Sequence, residues 1–255
     1  NPVCLSSWRR RPSRSHHCRA TTARARHIPM DWIPMHHAKH GPYEVLLVDL
    51  DGTVVDSAAG IIGSLAHTFA AMGKAVPNGE TLRAFVGPPI LDGFQRLGGL
   101  TVTESHAALV IYREHYLAEG LLAAPVYPGM ADFLHDVHAS GRPMSLATSK
   151  PESMAHLVLD HHDLAKYFTV ITGASEDEVR STKADVVGEA LRRLVSRGAH
   201  TQRTIMIGDR IHDVEGAGEH GVPTVFVTWG YGNRDESRHA VARVDDTTAL
   251  ARHTA

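Results

Sequence analysis

The stretch VLLVDLDGTVVDS, residues 45–57, determines how the rest of the chain is interpreted. Its four leading apolar residues predict a short buried strand of a parallel sheet, because the run is too short and too β-branched for a helix. Asp49 and Asp51 follow directly, and Gly52 favours a turn after them. Ligands of α/β folds bind at the carboxyl ends of strands. The two carboxylates are therefore candidate site residues, although Asp-Gly is also common in simple turns.

The composition is that of a soluble protein with one large domain or a domain carrying an insertion. The chain has 255 residues, of which 43% are hydrophobic and 21% are charged, and no apolar run is long enough to cross a membrane. Both cysteines, Cys4 and Cys18, lie near the start, so the remainder has no disulfide framework and no thiol nucleophile. We therefore expect a cytoplasmic protein without a membrane partner.

Charge is distributed unevenly along the chain. Residues 1–40 hold eight basic residues and one acidic residue, a net charge of +7, so the remaining 215 residues carry −9. The acidic remainder disfavours nucleic acid as the partner of the folded part. The basic segment at 1–40 predicts a disordered tail, although a transit-like segment or sequence upstream of a start at Met30 or Met35 would have the same composition.

Helical spacing of apolar residues dominates residues 59–124, whereas the sequence on either side alternates between predicted strands and helices. Ser181 is predicted to cap the helix that follows the third strand. This order of elements indicates an α/β fold with a doubly wound parallel sheet and an inserted all-helical domain. The predicted core covers 41–58 and 125–255, with the helical domain at 59–124. The later strands are predicted at 144–147, 170–172, 204–207 and 224–227.

Polar residues that follow the predicted strands would meet at one edge of the sheet, together with a lysine in the first turn of a helix. Four close carboxylates cannot all remain ionised unless a cation offsets them. Ligands that are all oxygen suit Mg²⁺. The set therefore indicates Mg²⁺-assisted phosphoryl chemistry with a carboxylate as candidate nucleophile. Its members are Asp49, Asp51, Thr148, Lys183, Asp209 and Asp213.

Four motifs resemble those of the haloacid-dehalogenase superfamily of phosphatases. They are DLDGT at 49–53, an apolar strand ending in Thr148, Lys183, and GDRIHD at 208–213. The similarity covers about residues 44–235 in the family's motif order, and the first and last motifs together are highly specific. It implies hydrolysis of phosphomonoesters through an aspartyl-phosphate, with Mg²⁺ as cofactor.

The resemblance implies a role for each matching residue. Asp49 is the expected nucleophile, and Asp51 is the expected general acid and then general base. Thr148 and Lys183 are expected to hold the phosphoryl oxygens. The expected Mg²⁺ ligands are Asp49, Asp51 through its backbone carbonyl, Asp209, and Asp213 as a ligand or an orienting residue.

The inserted helices are similar to the small cap of the branch that contains phosphoglycolate phosphatases and 5′-nucleotidases. This resemblance implies a small substrate such as phosphoglycolate, a nucleoside monophosphate or a sugar phosphate. Arg83 is a candidate substrate-binding residue of the cap. It is equally plausible that Arg83 is only a solvent-exposed charge on its helix. Ser149 and Lys150 are further candidates for substrate binding beside Thr148. It is equally plausible that Lys150 is a surface lysine.

Asp51 and Ile61 weigh against other activities of the superfamily. Dehalogenases and phosphonate hydrolases lack the second aspartate that is present here as Asp51. The sugar-phosphate mutases carry a histidine where this chain has Ile61. The remaining alternatives to a phosphatase are a phosphotransferase that uses an acceptor other than water and a regulatory protein that binds phosphoproteins on the same fold.

Overall fold

A computed structural model of the chain describes residues 43–177 and 179–255, so the predicted tail at 1–40 lies outside the described residues. Within them a parallel sheet has the strand order β3-β2-β1-β4-β5-β6. The predicted doubly wound α/β fold is confirmed by this sheet and by the helices on both of its faces. The strands are β1 (Val45–Val48), β2 (Met144–Pro151), β3 (Val170–Ala174), β4 (Thr204–Gly208), β5 (Thr224–Val227) and β6 (Ala242–Val244).

The α-helices in the described part of the chain fall into two sets, four in the inserted segment after β1 and five in the remainder of the chain. None of these helices has the length and apolar character that a membrane crossing requires. The first set is α1 (Ala58–Ala71), α2 (Gly79–Ala84), α3 (Ile90–Arg96) and α4 (Val102–His115), followed by a π-helical turn (Tyr116–Gly120). The second set is α5 (Met130–Ala139), α6 (Glu152–His161), α7 (Lys183–Ser196), α8 (Ile211–Gly218) and α9 (Thr247–Thr254).

Strand β1 lies between β2 and β4 and is buried on both faces. Its side chains alternate, so Val45 and Leu47 pack with the apolar face of α7. Leu46 and Val48 point the other way and pack with residues of α5 and α6. Burial on two faces explains why β1 is a continuous apolar run, as in other parallel sheets with helices on both sides.

The helical insertion, residues 58–120, has an aromatic core of its own. Phe94 is fully buried, and its ring lies 6.0 Å from the ring of Phe69, 5.8 Å from that of Phe85 and 6.2 Å from that of Tyr112. Such tilted and edge-to-face contacts stabilise aromatic clusters. The insertion thus coincides with the predicted helical region, and its division from the core as a separate domain stays a prediction.

Several element ends differ from the prediction. Thr182, not Ser181, caps α7, because the Thr182 hydroxyl accepts a hydrogen bond from the Asp185 N–H. Strand β2 continues past the predicted end to Pro151, which pairs with Ala174 after an irregularity in register. Strand β6 and the helix α9 after it are not predicted from the sequence, and for β6 the reason is that a three-residue edge strand has little periodicity.

Candidate active site

The site residues converge because β2, β1 and β4 are neighbours in the sheet. Their carboxyl ends therefore open onto the same edge, and α7 and α8 begin beside it. All six residues of the predicted set are buried, between 0% and 8% exposed. The structure thus brings together Asp49, Asp51, Thr148, Lys183, Asp209 and Asp213.

Lys183 links two of these carboxylates. Its Nζ lies 2.6 Å from Oδ1 of Asp49 and 2.8 Å from Oδ1 of Asp213, and it also donates to the carbonyl of Ala147 at 3.0 Å. Burial lowers the pKa of Lys183, but Asp213 and Asp49 outweigh that effect and the net shift is upward. Lys183 is therefore a cation held at the sheet edge by two hydrogen bonds, to Asp49 and Ala147, and by an ion pair with Asp213.

Burial has the opposite effect on Asp49. Desolvation raises the pKa of Asp49 to about 6, with Lys183 opposing the shift and Asp213 adding to it. The group is ionised at neutral pH, yet it is much more basic than an exposed aspartate. An anionic oxygen of this kind beside a fixed ammonium suits attack on a phosphorus atom.

Asp209 and Asp213 are held by hydrogen bonds from backbone and side chains. Asp209 accepts a hydrogen bond from the Tyr231 N–H at 2.7 Å and one from the Thr53 hydroxyl at 3.3 Å. Oδ2 of Asp213 accepts from the N–H groups of Asp209 and Arg210, both at 3.0 Å. Burial, followed by the charges of Asp213 and Asp49, raises the pKa of Asp209 well above its usual range.

The three carboxylates fit a divalent cation. Asp49, Asp209 and Asp213 each place one oxygen so that all three oxygens lie within 4.8 Å of one another. Lys183 contributes one positive charge against these three buried carboxylates, and Asp209 forms no ion pair with any described residue. A small cation with oxygen ligands, such as Mg²⁺, would offset the remaining charge. The side chain of Asp51 is not part of this group.

The Asp51 side chain is bound instead by Lys150. The Lys150 ammonium donates to both carboxylate oxygens, at 3.0 and 2.8 Å, and to the hydroxyl of Tyr116 at 2.8 Å. Lys150 is only 7% exposed, so the surface position that the sequence left open for it is wrong. Its contact with substrate stays a prediction. All three donors of the ammonium already have protein partners.

A cavity of about 70 Å³ lies between the sheet edge and the helical insertion. Asp49, Asp51 and Thr148 line it on the side of the sheet, with Ser149 and Lys150 beside them. The insertion supplies an apolar wall and one arginine. This second set consists of Ile61, Phe85, Gly87, Pro88, Ile90, Tyr112, Arg113 and Tyr116.

Two arginines of the insertion have different positions relative to this cavity. Arg83, the residue predicted from the sequence, is exposed on α2 and is absent from the cavity lining. Arg113 on α4 does line the cavity. The loop at Gly87 and Pro88 also lines the cavity. A substrate contact of Arg83 therefore stays a prediction without geometric support, and Arg113 is a residue that the sequence analysis missed.

Tyr231, in the loop that follows β5, also lies beside the site. Its hydroxyl accepts from the N–H groups of Ser57 and Ala58, at 2.8 and 3.0 Å, and donates to Asp56 at 2.9 Å. Its own N–H binds Asp209. Tyr231 therefore ties the start of the insertion to a carboxylate of the proposed cation site. No sequence motif indicates Tyr231, because the partners of its hydroxyl lie more than 170 residues away in the chain.

The chain is similar to several known proteins. Over 193 residues the chain is 39% identical to tyrosine-protein kinase PtkA of Mycobacterium tuberculosis, covering 75% of this chain and 64% of the relative, which is less than two thirds of its length. It is 33% identical to a 5′-nucleotidase of Pseudomonas aeruginosa, covering 77% of this chain and 87% of that relative.

A solved structure of a predicted phosphatase from Clostridium acetobutylicum superposes with a TM-score of 0.78 at 33% identity, covering 84% of this chain and 98% of that one. The sequence model of haloacid dehalogenase-like hydrolases matches residues 46–227, which contain every predicted site residue. The likeness thus extends over the sheet, the insertion and the carboxylate cluster together. The chain belongs to the family of haloacid dehalogenase-like hydrolases.

Proposed function

We propose that the protein is a Mg²⁺-dependent phosphomonoester hydrolase that forms an aspartyl-phosphate on Asp49. The observation that carries the proposal is the arrangement of two carboxylates on one cavity wall, each with its own lysine. Asp49 is paired with Lys183, and Asp51 is paired with Lys150. Two carboxylates in separate environments suit a nucleophile and a proton carrier in one reaction.

In the first half-reaction, an oxygen of Asp49 forms a bond to phosphorus while the bond from phosphorus to the ester oxygen breaks. Asp51 gives a proton to the departing oxygen, and Lys183 and Thr148 contact the phosphoryl oxygens. In the second, water attacks phosphorus, Asp51 takes a proton from it, and Asp49 leaves as a carboxylate. Mg²⁺ held by Asp49, Asp209, Asp213 and the carbonyl of Asp51 would offset phosphoryl charge.

The helical insertion is proposed to act as a cap over this reaction. It supplies the apolar wall of the cavity, including Phe85 and Tyr116, and so limits the water that can reach Asp49. Access for substrate and product then requires the insertion to move relative to the sheet edge. This assignment divides the chain into a core at 41–58 and 125–255 and a cap at 59–124.

The small cavity supports a small phosphate ester as substrate. Phosphoglycolate, a nucleoside monophosphate and a sugar phosphate remain the candidates, and the 5′-nucleotidase of Pseudomonas aeruginosa has a name that fits the second of these. Arg113 provides a cation in the part of the cavity wall that the insertion supplies. It is the proposed contact for an anionic or hydroxyl group of the leaving alcohol.

The test is phosphate release from a panel of phosphorylated metabolites, with and without Mg²⁺. We expect the Asp49→Asn variant to release no phosphate from any ester while it keeps the native unfolding temperature within a few degrees. An exposed change, Asp160→Asn, is the matched control and should retain native rates. Activity that survives in Asp49→Asn, or after complete chelation, would contradict the proposal.

A phosphotransferase is the second candidate, and the observation that favours it is the 39% identity to a protein named as a tyrosine kinase. In this reaction an acceptor hydroxyl replaces water in the second half-reaction, and the aspartyl-phosphate on Asp49 is shared by both schemes. Radiolabel chased from the phosphorylated protein distinguishes them. Release as inorganic phosphate in buffer alone favours hydrolysis, whereas retention until a protein acceptor is added favours transfer.

A further inference from the structure

Lys150 is held by two partners from different parts of the fold. It lies in β2, and its ammonium contacts Asp51 at the end of β1 and Tyr116 in the π-helical turn of the insertion. The same ammonium lies 4.9 Å from the centre of the Tyr116 ring, so the cation contacts both the hydroxyl and the aromatic face. With two donors on Asp51 and one on Tyr116, Lys150 has no remaining donor for a substrate phosphate.

Tyr116 itself is fixed by close packing inside the insertion. The rings of Tyr112 and Tyr116 are stacked at 5.4 Å. A β-carbon on Gly60 would overlap the backbone of Gly120, so α1 and the π-helical turn touch backbone to backbone. Turns of this rare type are frequently found at functional sites. The position of the Tyr116 hydroxyl is thus determined by the seating of the whole insertion.

We propose that Lys150 and Tyr116 are positioning residues, which hold the Asp51 carboxylate in place for the hydrolysis of the aspartyl-phosphate when the insertion is seated. The proposal rests on the proposed function and assigns these two residues a role in its second half-reaction. In that step a water oxygen bonds to phosphorus, the bond from phosphorus to Asp49 breaks, and Asp51 receives the water proton. The products are inorganic phosphate and a free Asp49 carboxylate.

Asp51 has little else to orient it. Lys150 is the described side chain that donates hydrogen bonds to its carboxylate, and the contact uses both oxygens. A carboxylate bound in this two-point manner has one plane and one direction in the cavity. Without Tyr116 the lysine keeps its pairing with Asp51 but loses the contact that ties this pairing to the insertion.

The test compares the first turnover with the steady state, using an aryl phosphate and rapid mixing. If Asp51 is misplaced as a base, the phosphoenzyme forms and then persists, so phenol release shows a burst followed by a slow phase. For Tyr116→Phe we expect the ratio of first-turnover rate to steady-state rate to rise by at least about fivefold over native. For Lys150→Met we expect a rise of about 10²-fold, within the range for general-base catalysis.

Tyr167→Phe and Lys166→Met are the matched controls, because both residues lie near the start of β3 and touch none of the site residues. Both should give the native ratio. The positioning role would be overturned if Tyr116→Phe gave the native ratio. It would also be overturned if the burst rate and the steady-state rate fell by the same factor in both Tyr116→Phe and Lys150→Met. Failure of the native protein to turn over any ester would instead overturn the proposed function, so the two failures are distinguishable.

Discussion

The α-carbon of Gly52 faces the carboxylate of Asp209 so closely that a β-carbon on Gly52 would overlap it. Gly52 also has a φ of +85°, a conformation that side chains of L-residues rarely adopt. The turn after β1 therefore requires glycine for two independent reasons. One is the backbone conformation, and the other is the space in which Asp209 reaches the proposed cation site.

Gly52→Ala should therefore damage the site more than the fold. The positive φ alone costs about 1 kcal/mol, whereas displacement of Asp209 should raise the Mg²⁺ concentration needed for half-maximal activity by about tenfold or more. Gly73→Ala is the matched control, because Gly73 has a φ of +67° and nothing within 4 Å of an added β-carbon. Urea unfolding and Mg²⁺ titration of activity measure the two effects. An equal Mg²⁺ response in both variants would contradict the role of Asp209.

Asp51→Asn should slow phosphoenzyme hydrolysis, and phosphoenzyme formation from an alkyl ester, each by about 10²–10⁴-fold, because an amide neither gives nor takes the proton. With an aryl phosphate the loss should fall mainly on hydrolysis, because a phenolate leaves with little help from an acid. The substitution also leaves the buried ammonium of Lys150 without its anionic partner, so the free energy of unfolding should fall as well. Rapid-mixing kinetics with an aryl phosphate separate the two half-reactions. The exposed ion pair of Asp235 with Arg238 offers the control Asp235→Asn, which should leave both rates unchanged.

Arg210→Gln should weaken the seating of the helical insertion. The Arg210 guanidinium pairs with Glu236 at 2.9 Å and donates to the carbonyl of Val86, next to the cavity loop at Gly87. Loss of such a charged hydrogen bond is worth about 1.5–3 kcal/mol. We therefore expect KM to rise by about tenfold or more with a smaller fall in kcat. Arg238→Gln is the exposed control, and a native KM in Arg210→Gln would contradict the seating role.

The carboxylate cluster is predictable from the sequence because strand order alone determines it. Asp49 follows β1, Asp209 follows β4, and parallel pairing of these two strands brings their ends together. The GDRIHD motif at 208–213 adds Asp213 one helical turn later, so local geometry supplies the rest. The sequence can therefore predict a site residue that lies at a strand end or in the first turn of a helix that begins there.

Contacts between the insertion and the sheet edge are not predictable in this way. Tyr116 contacts Lys150, which lies 34 residues away in the chain, whereas helical spacing of apolar residues shows only that Tyr116 is on a buried face. Arg83 and Arg113 are both arginines in helices of the insertion, and only the packing of these helices determines which one lines the cavity. Polar contacts of this kind depend on three-dimensional packing that neither propensity nor motif spacing encodes.

Mg²⁺ should stabilise the protein more at neutral pH than in acid. Burial raises the pKa of Asp49 from 3.8 to about 6, so the folded state favours its protonated form. The stability from this group is fully present below about pH 4 and is lost as the pH rises through about 6, at most about 3 kcal/mol. Above that pH the ionised carboxylates repel one another, and these ionised forms are the ones that bind a cation.

We therefore expect excess Mg²⁺ to raise the unfolding temperature clearly at about pH 7.5 and only slightly at about pH 5. Differential scanning fluorimetry with and without Mg²⁺ measures this, with Ca²⁺ and high NaCl as controls for general ionic effects. Asp49→Asn removes one of the titrating groups, so its metal-free unfolding temperature should fall less than that of the native protein between these two pH values. An equal Mg²⁺ shift at both pH values would contradict a cation site formed by Asp49, Asp209 and Asp213.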